Sequence, residues 1–297
     1  MRIAIAGGSG SLGRALADAL RAAGHEVVTL LRAEPTRPGE RRWDPEAGHI
    51  HGPGLSDVDA VVNLAGEPIA QRWTPAAKQR IAASRLMATL TIVAALEPDG
   101  RCQRLLNGSS CAIYGDPGVD YVDEDSPVHA SGFLARVCVD WETSARHAPV
   151  PTVLLRSGHV LSPGAPFGFG PPGFRGGLNV RVGDGRQWVP WIHLDDWLAA
   201  VLALLSSPVE GPVNLTSPEP VQHDDLLRAM GRHGGRAASF TWPRLALVAR
   251  FGDEVVREVL GTSVRALPRV LLEQGFAFAH PSVDAAMADL LTAQRAG

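Results

Sequence analysis

The sequence predicts an α/β fold: a Rossmann-type, doubly wound parallel sheet followed by a smaller, mostly helical C-terminal lobe. Three observations predict it. Over the first two-thirds of the 297 residues, short apolar runs alternate with stretches of helical spacing, the pattern of parallel strands covered by helices on both faces. A glycine-rich turn, Gly7-Gly8-Ser9-Gly10-Ser11-Leu12-Gly13, separates the first apolar run from the first helical stretch. From Ser162 to Pro190 the periodicity gives way to crowded glycines and prolines, as in a functional loop or a small lobe lining a site.

The elements follow in order. Residues 2–6 form a strand, and residues 12–23 a helix with Leu12, Leu16 and Leu20 on one face. Gly24 closes that helix as a glycine just past a C-terminus does, and residues 26–31 form the second strand. DAVVNL (59–64) is a buried strand, 78–96 a long amphipathic helix, and 104–107 a strand ending in a Gly-Ser-Ser turn. A helix over 131–145 and a strand over 152–156 complete the alternation. After the irregular segment come a helix (195–205), a short strand (212–215) and two or three further helices. Asp195 and Asp196 read as the N-cap and first turn of the first of these. Within 243–260, Leu247, Val248, Phe251, Val255 and Val259 make one helical packing face.

Composition excludes several classes. Apolar residues are 45% and charged residues 20%, with a net charge of −3, as in a folded globular chain. No basic stripe interleaved with aromatics marks a nucleic-acid partner. The longest clean apolar run, Leu198–Leu205, falls well short of the ~20 residues of a membrane-spanning helix. Cys102, Cys111 and Cys138 are an odd set without a CxxC motif, which fits a reducing, cytoplasmic setting. His49 and His51 stand apart from other ligand types, so no metal site is expected.

The chemistry-bearing motif is the glycine turn. Gly7, Gly10 and Gly13 allow a tight turn, close approach of a pyrophosphate, and close helix–strand contact. The helix that opens at Ser11 and Leu12 then offers unpaired N–H groups and its positive dipole end to phosphates. Leu31-Arg32 ends the second strand about 20 residues on, where an acidic residue would hold ribose hydroxyls. An arginine there suits a 2′-phosphate, so the expected cofactor is NADP(H).

Longer blocks carry a resemblance: NLAGEPI (63–69), Arg72-Trp73, Ser84-Arg85 with Thr89, SSCAIYG (109–115), DEDSP (123–127), Trp141-Glu142, LRSGHVL (155–161), GRQWVPWIHLDD (185–196), NLTSPEPV (214–221) and the LP and LLEQGFAF segments within 267–278. On these the chain resembles an atypical extended short-chain dehydrogenase/reductase of the NAD-dependent epimerase/dehydratase-like group, with a C-terminal domain of unknown function. The resemblance implies an NADP-binding domain over 1–161, completed by about 190–216, and a substrate lobe from 162–189 and 217–297. It implies cofactor contacts from Gly7, Gly10, Ser11, Leu12, Gly13, Leu31, Arg32, Asn63, Leu64, Ala65, Arg85 and Val160.

The proton relay of that superfamily is missing. A Tyr-x-x-x-Lys pair is required, yet the chain holds one lysine, Lys78, and two tyrosines, Tyr114 and Tyr121, with Gly118 and Asp125 four residues after them. Aligning Glu142 with the family's glutamate puts Leu134 in the tyrosine slot and Cys138 in the lysine slot. Ser110 matches the serine that holds a substrate oxygen, or caps the strand end. Cys138 is either a reactive thiol or a small inert hydrophobe, and Tyr114 is a packing and hydrogen-bonding residue. His193 is either an acid/base or structural. Trp188 and Trp191, with Arg175, Arg181 and Arg186, suit a planar or anionic substrate, or anchor a lobe. Three functions follow: an NADP(H)-dependent oxidoreductase acting on a small molecule, a non-catalytic NADP(H)-binding sensor or interaction module, and a sugar-nucleotide epimerase or dehydratase.

Overall fold

In the computed structural model the residues described are 1–162, 179–181, 183–234, 239–241 and 244–296. The chain opens with β1 (Arg2–Ala6), α1 (Ser11–Ala22), β2 (Glu26–Leu31), β3 (Glu40–Asp44), β4 (His49–Ile50), β5 (Ala60–Asn63) and α2 (Pro75–Ala95). Next come β6 (Leu105–Ser110), a 3₁₀ turn (Cys111–Tyr114), β7 (Tyr121–Val122), α3 (Phe133–Ala145), β8 (Thr152–Ser157) and β9 (His159–Leu161). The rest comprises β10 (Asn179–Arg181), β11 (Trp188–Val189), β12 (Trp191–His193), α4 (Leu194–Ser206), β13 (Gly211–Leu215), β14 (Val221–Gln222), α5 (His223–Gly234) and β15 (Ser239–Thr241). It ends with α6 (Arg244–Phe251), α7 (Asp253–Val255), β16 (Arg265–Ala266), α8 (Arg269–Glu273) and α9 (Val283–Ala296).

The main sheet runs β13-β8-β6-β5-β1-β2-β3-β4. Every pairing in it is parallel except the β3–β4 hairpin. The order reverses between β1 and β5, the crevice in which such sheets bind nucleotides. Its centre is apolar on both faces, because β1 and β5 are covered by helices on either side: Ile3 and Ile5 pack with Leu16, Leu20, Trp197 and Val201, while Ala4 and Val61 pack with Ala88 and Ile92. Helix ends follow local rules. Gly24, at φ +82°, donates to the Arg21 carbonyl just past α1, and the Thr74 hydroxyl accepts from the Ala77 amide with Pro75 at the first helical position of α2.

Three expectations need correction, and a strand also forms where the sequence reading placed none. The charged segment ERRWD is a strand, β3, because Arg41 is neutralised by Asp57 through bonds of 2.8 and 2.7 Å. Gly108, Ser109 and Ser110 stay in β6 instead of turning, and glycine is required there because a Cβ would lie 2.8 Å from the Trp141 ring. The single helix expected over 243–260 breaks at Gly252, at φ +92°, and continues through α7 into a π turn, Val256–Leu260. The N-cap of α4 is His193, whose Nδ1 accepts from the Asp195 amide at 3.1 Å. Most of the irregular Ser162–Pro190 segment, including Arg175, lies outside the described residues. Among the described residues, no helix is long and apolar enough to cross a membrane.

Candidate nucleotide-binding site

The glycine turn sits between the C-terminal end of β1 and the start of α1. Gly7 lies at φ +82°, and a Cβ there would come within 2.7 Å of the Leu64 carbonyl and 2.9 Å of the Ala65 nitrogen. At Gly13 a Cβ would stand 2.2 Å from the Gly7 carbonyl oxygen, and at Gly8 it would stand 2.5 Å from Thr29 Cγ2. These positions bring the turn against β5, α1 and β2, so glycine is forced by packing. Gly10 differs: its Cβ would meet only the Gly7 oxygen at 3.3 Å, and as N-cap it supplies no side-chain oxygen to the helix. With no acid in the first turn either, the amides of Ser11, Leu12 and Gly13 remain available, as first-turn amides are. A cradle lined by backbone, with donors and a helix dipole unopposed, suits a phosphate group.

The wall opposite is held rigid from behind. Asn63, fully buried, donates through Nδ2 to Asn107 Oδ1 at 2.7 Å and Thr89 Oγ1 at 3.0 Å, while its Oδ1 accepts from the Ala65 amide at 3.2 Å. The side chain of Asn63 is thus committed inward, and Leu64 and Ala65 face the glycine turn. Leu31 is half-buried at the end of β2. Arg32 beside it is exposed and forms no hydrogen bond or ion pair among the described residues. Two nearby acids are already engaged: Glu34 pairs with Arg42, and Glu40 accepts from the Thr36 and Arg37 amides at 2.7 and 3.1 Å. Among the described residues, the Arg32 guanidinium thus has no ion-pair partner.

Further along, three sequence-selected residues meet. Burial pushes the Cys138 thiol up to about 12, opposed by the Arg85 charge and by the Ser110 amide. Burial thus disfavours the thiolate form of Cys138. Arg85 donates to the Glu67 and Ile81 carbonyls, both at 3.0 Å, and lies over the Trp141 ring at 5.1 Å. Its guanidinium also sits against Gly66, where a Cβ would come within 2.9 Å of Cζ. Ser110 Oγ accepts from the Ala112 amide at 3.2 Å, the turn-capping role, and retains its own proton for donation. Val160 is in β9, paired with Ile192 of β12 and packed on the main core.

Sequence reasoning missed the buried polar chain beneath Ser110. Ser109 Oγ donates to Glu142 Oε1 at 2.7 Å, and Arg156 clasps the same carboxylate at 2.8 and 2.9 Å. Arg156 then donates to the Tyr114 hydroxyl at 3.0 Å, which donates to Asn214 Oδ1 at 2.7 Å. Asn214 continues to the Leu267 carbonyl. Burial raises the Tyr114 pKa well above its usual value despite the Arg156 charge. No tyrosine meets the lysine: Lys78 pairs with Glu254 at 2.6 Å, and Tyr121 stacks on Arg265. The Trp141-Glu142 and LRSGHVL blocks were a signal that these residues mattered, but not that they touch.

This fold and turn define a nucleotide-binding protein of the short-chain dehydrogenase/reductase type. The chain belongs to the NAD dependent epimerase/dehydratase family, whose model matches residues 3–216, and a domain of unknown function, DUF1731, matches residues 242–290. The epimerase family protein Mb2239 of Mycobacterium bovis is 42% identical over 291 residues, covering 96% of each chain. The human epimerase family protein SDR39U1 is 33% identical over 301 residues, covering 98% of this chain and all of the relative. The crystal structure of human SDR39U1 (isoform 2) with NADPH superposes with a TM-score of 0.86 at 29% identity, covering 98% of this chain and 99% of that one.

Proposed function

We propose that the protein binds NADP(H) and acts as an oxidoreductase on a small molecule. The carrying observation is the open, uncapped first turn of α1 with the Arg32 guanidinium, unpaired among the described residues, at the end of β2; the NADPH bound by the human relative supports it. Gly7, Gly10, Ser11, Leu12 and Gly13 would receive the pyrophosphate, Leu31 and Arg32 the adenosine end, and Asn63, Leu64, Ala65, Arg85 and Val160 the remainder. When bound, the nicotinamide supplies or accepts a hydride. Ser110 would hold the substrate oxygen through its free hydroxyl proton. Leu134 and Cys138 in the relay slots offer no phenol-type acid, so a bound water or an acidic group of the substrate itself would give or take the proton. We assign residues 1–161, with about 190–216, to the cofactor domain, residues 162–189 and 217–297 to the substrate lobe, and the protein to the cytoplasm.

A second reading, a nucleotide-occupied sensor without turnover, is favoured by the same missing relay. The epimerase reading fares worst, since sugar epimerisation of this type relies most on the tyrosine that Leu134 replaces.

Titration calorimetry tests the cofactor choice. Charge-assisted bonds to a phosphate are worth about 1.5–3 kcal/mol, or roughly one to two decades in affinity. NADPH should bind about tenfold or more tighter than NADH, and Arg32→Ala should remove most of that gap while leaving NADH nearly unchanged. Equal binding by the native chain, or equal weakening of both cofactors in the variant, would overturn the assignment. NADPH consumption over a carbonyl panel then separates enzyme from sensor.

A further inference from the structure

At the start of α4, far in sequence from the glycine turn, two histidines and two aspartates converge. His193 caps the helix, Asp195 lies in its first turn, His280 follows the Phe276–Phe278 segment, and Asp289 lies on α9. One potential ligand atom from each falls within 4.8 Å of the other three. His193 Nε2 is 3.4 Å from Asp289 Oδ2, His193 Nδ1 is 3.8 Å from Asp195 Oδ2, and His280 Nε2 is 3.9 Å from that same oxygen. The two imidazoles lie with centroids 3.9 Å apart. His193 is 2% exposed, yet its Nε2 has no hydrogen-bond partner. A buried ring nitrogen left unsatisfied is costly, and this one faces the group of carboxylates.

We propose that His193, Asp195, His280 and Asp289 form a binding site for a divalent transition-metal ion of the zinc class. The ligand chemistry selects that class: imidazole with carboxylate suits zinc and its neighbours. Two neutral imidazoles with two carboxylates also balance a 2+ charge. Zinc–ligand bonds of about 2.0–2.2 Å place tetrahedral ligand atoms about 3.4 Å apart, so the present spacings need to close by well under about 1 Å per group. Asp195 and Asp289 are exposed and can make that movement. His193 Nδ1 now accepts the Asp195 amide, which leaves the ring proton on Nε2. On metal binding Nε2 gives up that proton to Nδ1 or to solvent and becomes a ligand, while Asp195 Oδ2, 3.9 Å from His280 Nε2, turns to the cation. A proton on Nδ1 would end its acceptance of the Asp195 amide, so ion binding is coupled to the cap of α4. The backbone holding the site is already tied: the Asp196 carboxylate accepts from the Ala279 and His280 amides at 2.7 and 3.0 Å. The bound ion would clamp α4, the 279–282 segment and α9 together.

The test uses zinc and the chelator-treated full chain. Calorimetry should show one ion per chain with a dissociation constant of about 10 µM or tighter. His280→Ala and Asp289→Asn should each weaken binding about tenfold or more, with circular dichroism showing both variants folded. His193→Ala removes a helix cap as well, so His280→Ala and Asp289→Asn are the discriminating variants. Zinc should raise the melting temperature of the native chain and not that of Asp289→Asn. Cobalt(II) should give the strong visible bands of four-coordination. His49 and His51 are an exposed pair, with ring centroids 4.6 Å apart, and His49→Ala with His51→Ala should leave binding unchanged. No saturable binding, equal binding by His280→Ala, or binding lost with the His49 and His51 pair would each overturn the proposal.

Discussion

Ser110 and Tyr114 flank one 3₁₀ turn and are held in opposite ways. Ser110 is half-buried and its hydroxyl proton is free to be donated, whereas the Tyr114 hydroxyl is fixed between Arg156 and Asn214 at zero exposure. Replacing Tyr114 with Phe therefore strands one Arg156 donor and one Asn214 acceptor in the interior. The expected loss is about 1–3 kcal/mol of stability, read from denaturant midpoints, with NADPH-dependent turnover of any active carbonyl largely kept. Ser110→Ala should instead lower turnover about tenfold or more, beyond the loss of about 1 kcal/mol expected from its cap on the Ala112 amide. A Tyr114→Phe protein that binds NADPH but loses turnover a hundredfold would place the phenol in the chemistry.

Helix α3, which carries the relay slots, takes its N-terminal cap from the far end of the chain. Gly132 at the N-cap has no side chain to offer, and Glu258 Oε2 accepts from the Leu134 amide at 3.1 Å instead. The π turn over Val256–Leu260 presents Glu258, and Gly132 leaves it room, since a Cβ there would come within 2.7 Å of the carboxylate. Removing a helix cap costs about 1 kcal/mol. Glu258→Ala should lose about that much in urea unfolding, and Glu258→Gln should recover part of it. Unchanged stability in the alanine variant would mean that α3 needs no cap from the C-terminal lobe.

At the scale of the whole molecule, acid sensitivity should report on the junction between the β9–β12 pair and α5. Burial holds His159 in β9 down at about 4 from its usual 6.5, with the His223 charge adding to the effect. A histidine whose folded pKa is depressed binds its proton more readily when unfolded, so stability falls as pH drops from about 6.5 toward 4 and changes little above that window. The expected contribution of this group is a loss on the order of 2 kcal/mol between about pH 7 and pH 4.5. His159→Gln keeps a polar side chain without the titration, and its stability should decline less over that interval. Parallel pH profiles for the two proteins would rule out His159 as the source.

Patterns set within a few residues were legible in the sequence. The alternation of apolar runs with helical spacing gave six of the eight strands of the main sheet and helices α1 to α4 to within a few positions, because burial on both sheet faces demands it of any chain. The turn from Gly7 to Gly13 announced its conformation, since glycine spacing between a strand and a helix has few other uses. Gly24 and the first turn of α4 were readable for similar reasons, although the α4 cap proved to be His193. What only the tertiary structure decided lies between distant residues. β3 becomes a strand because Asp57 neutralises Arg41, and α3 begins where Glu258 reaches it. Ser109, Glu142, Arg156, Tyr114 and Asn214 are spread over more than a hundred residues before the sheet order joins them. His193 and His280 likewise meet only because the Asp196 carboxylate ties down the backbone before α9. Periodicity encodes which face a residue buries, but the partner of a buried charge or imidazole is chosen by chain crossings that no local pattern records.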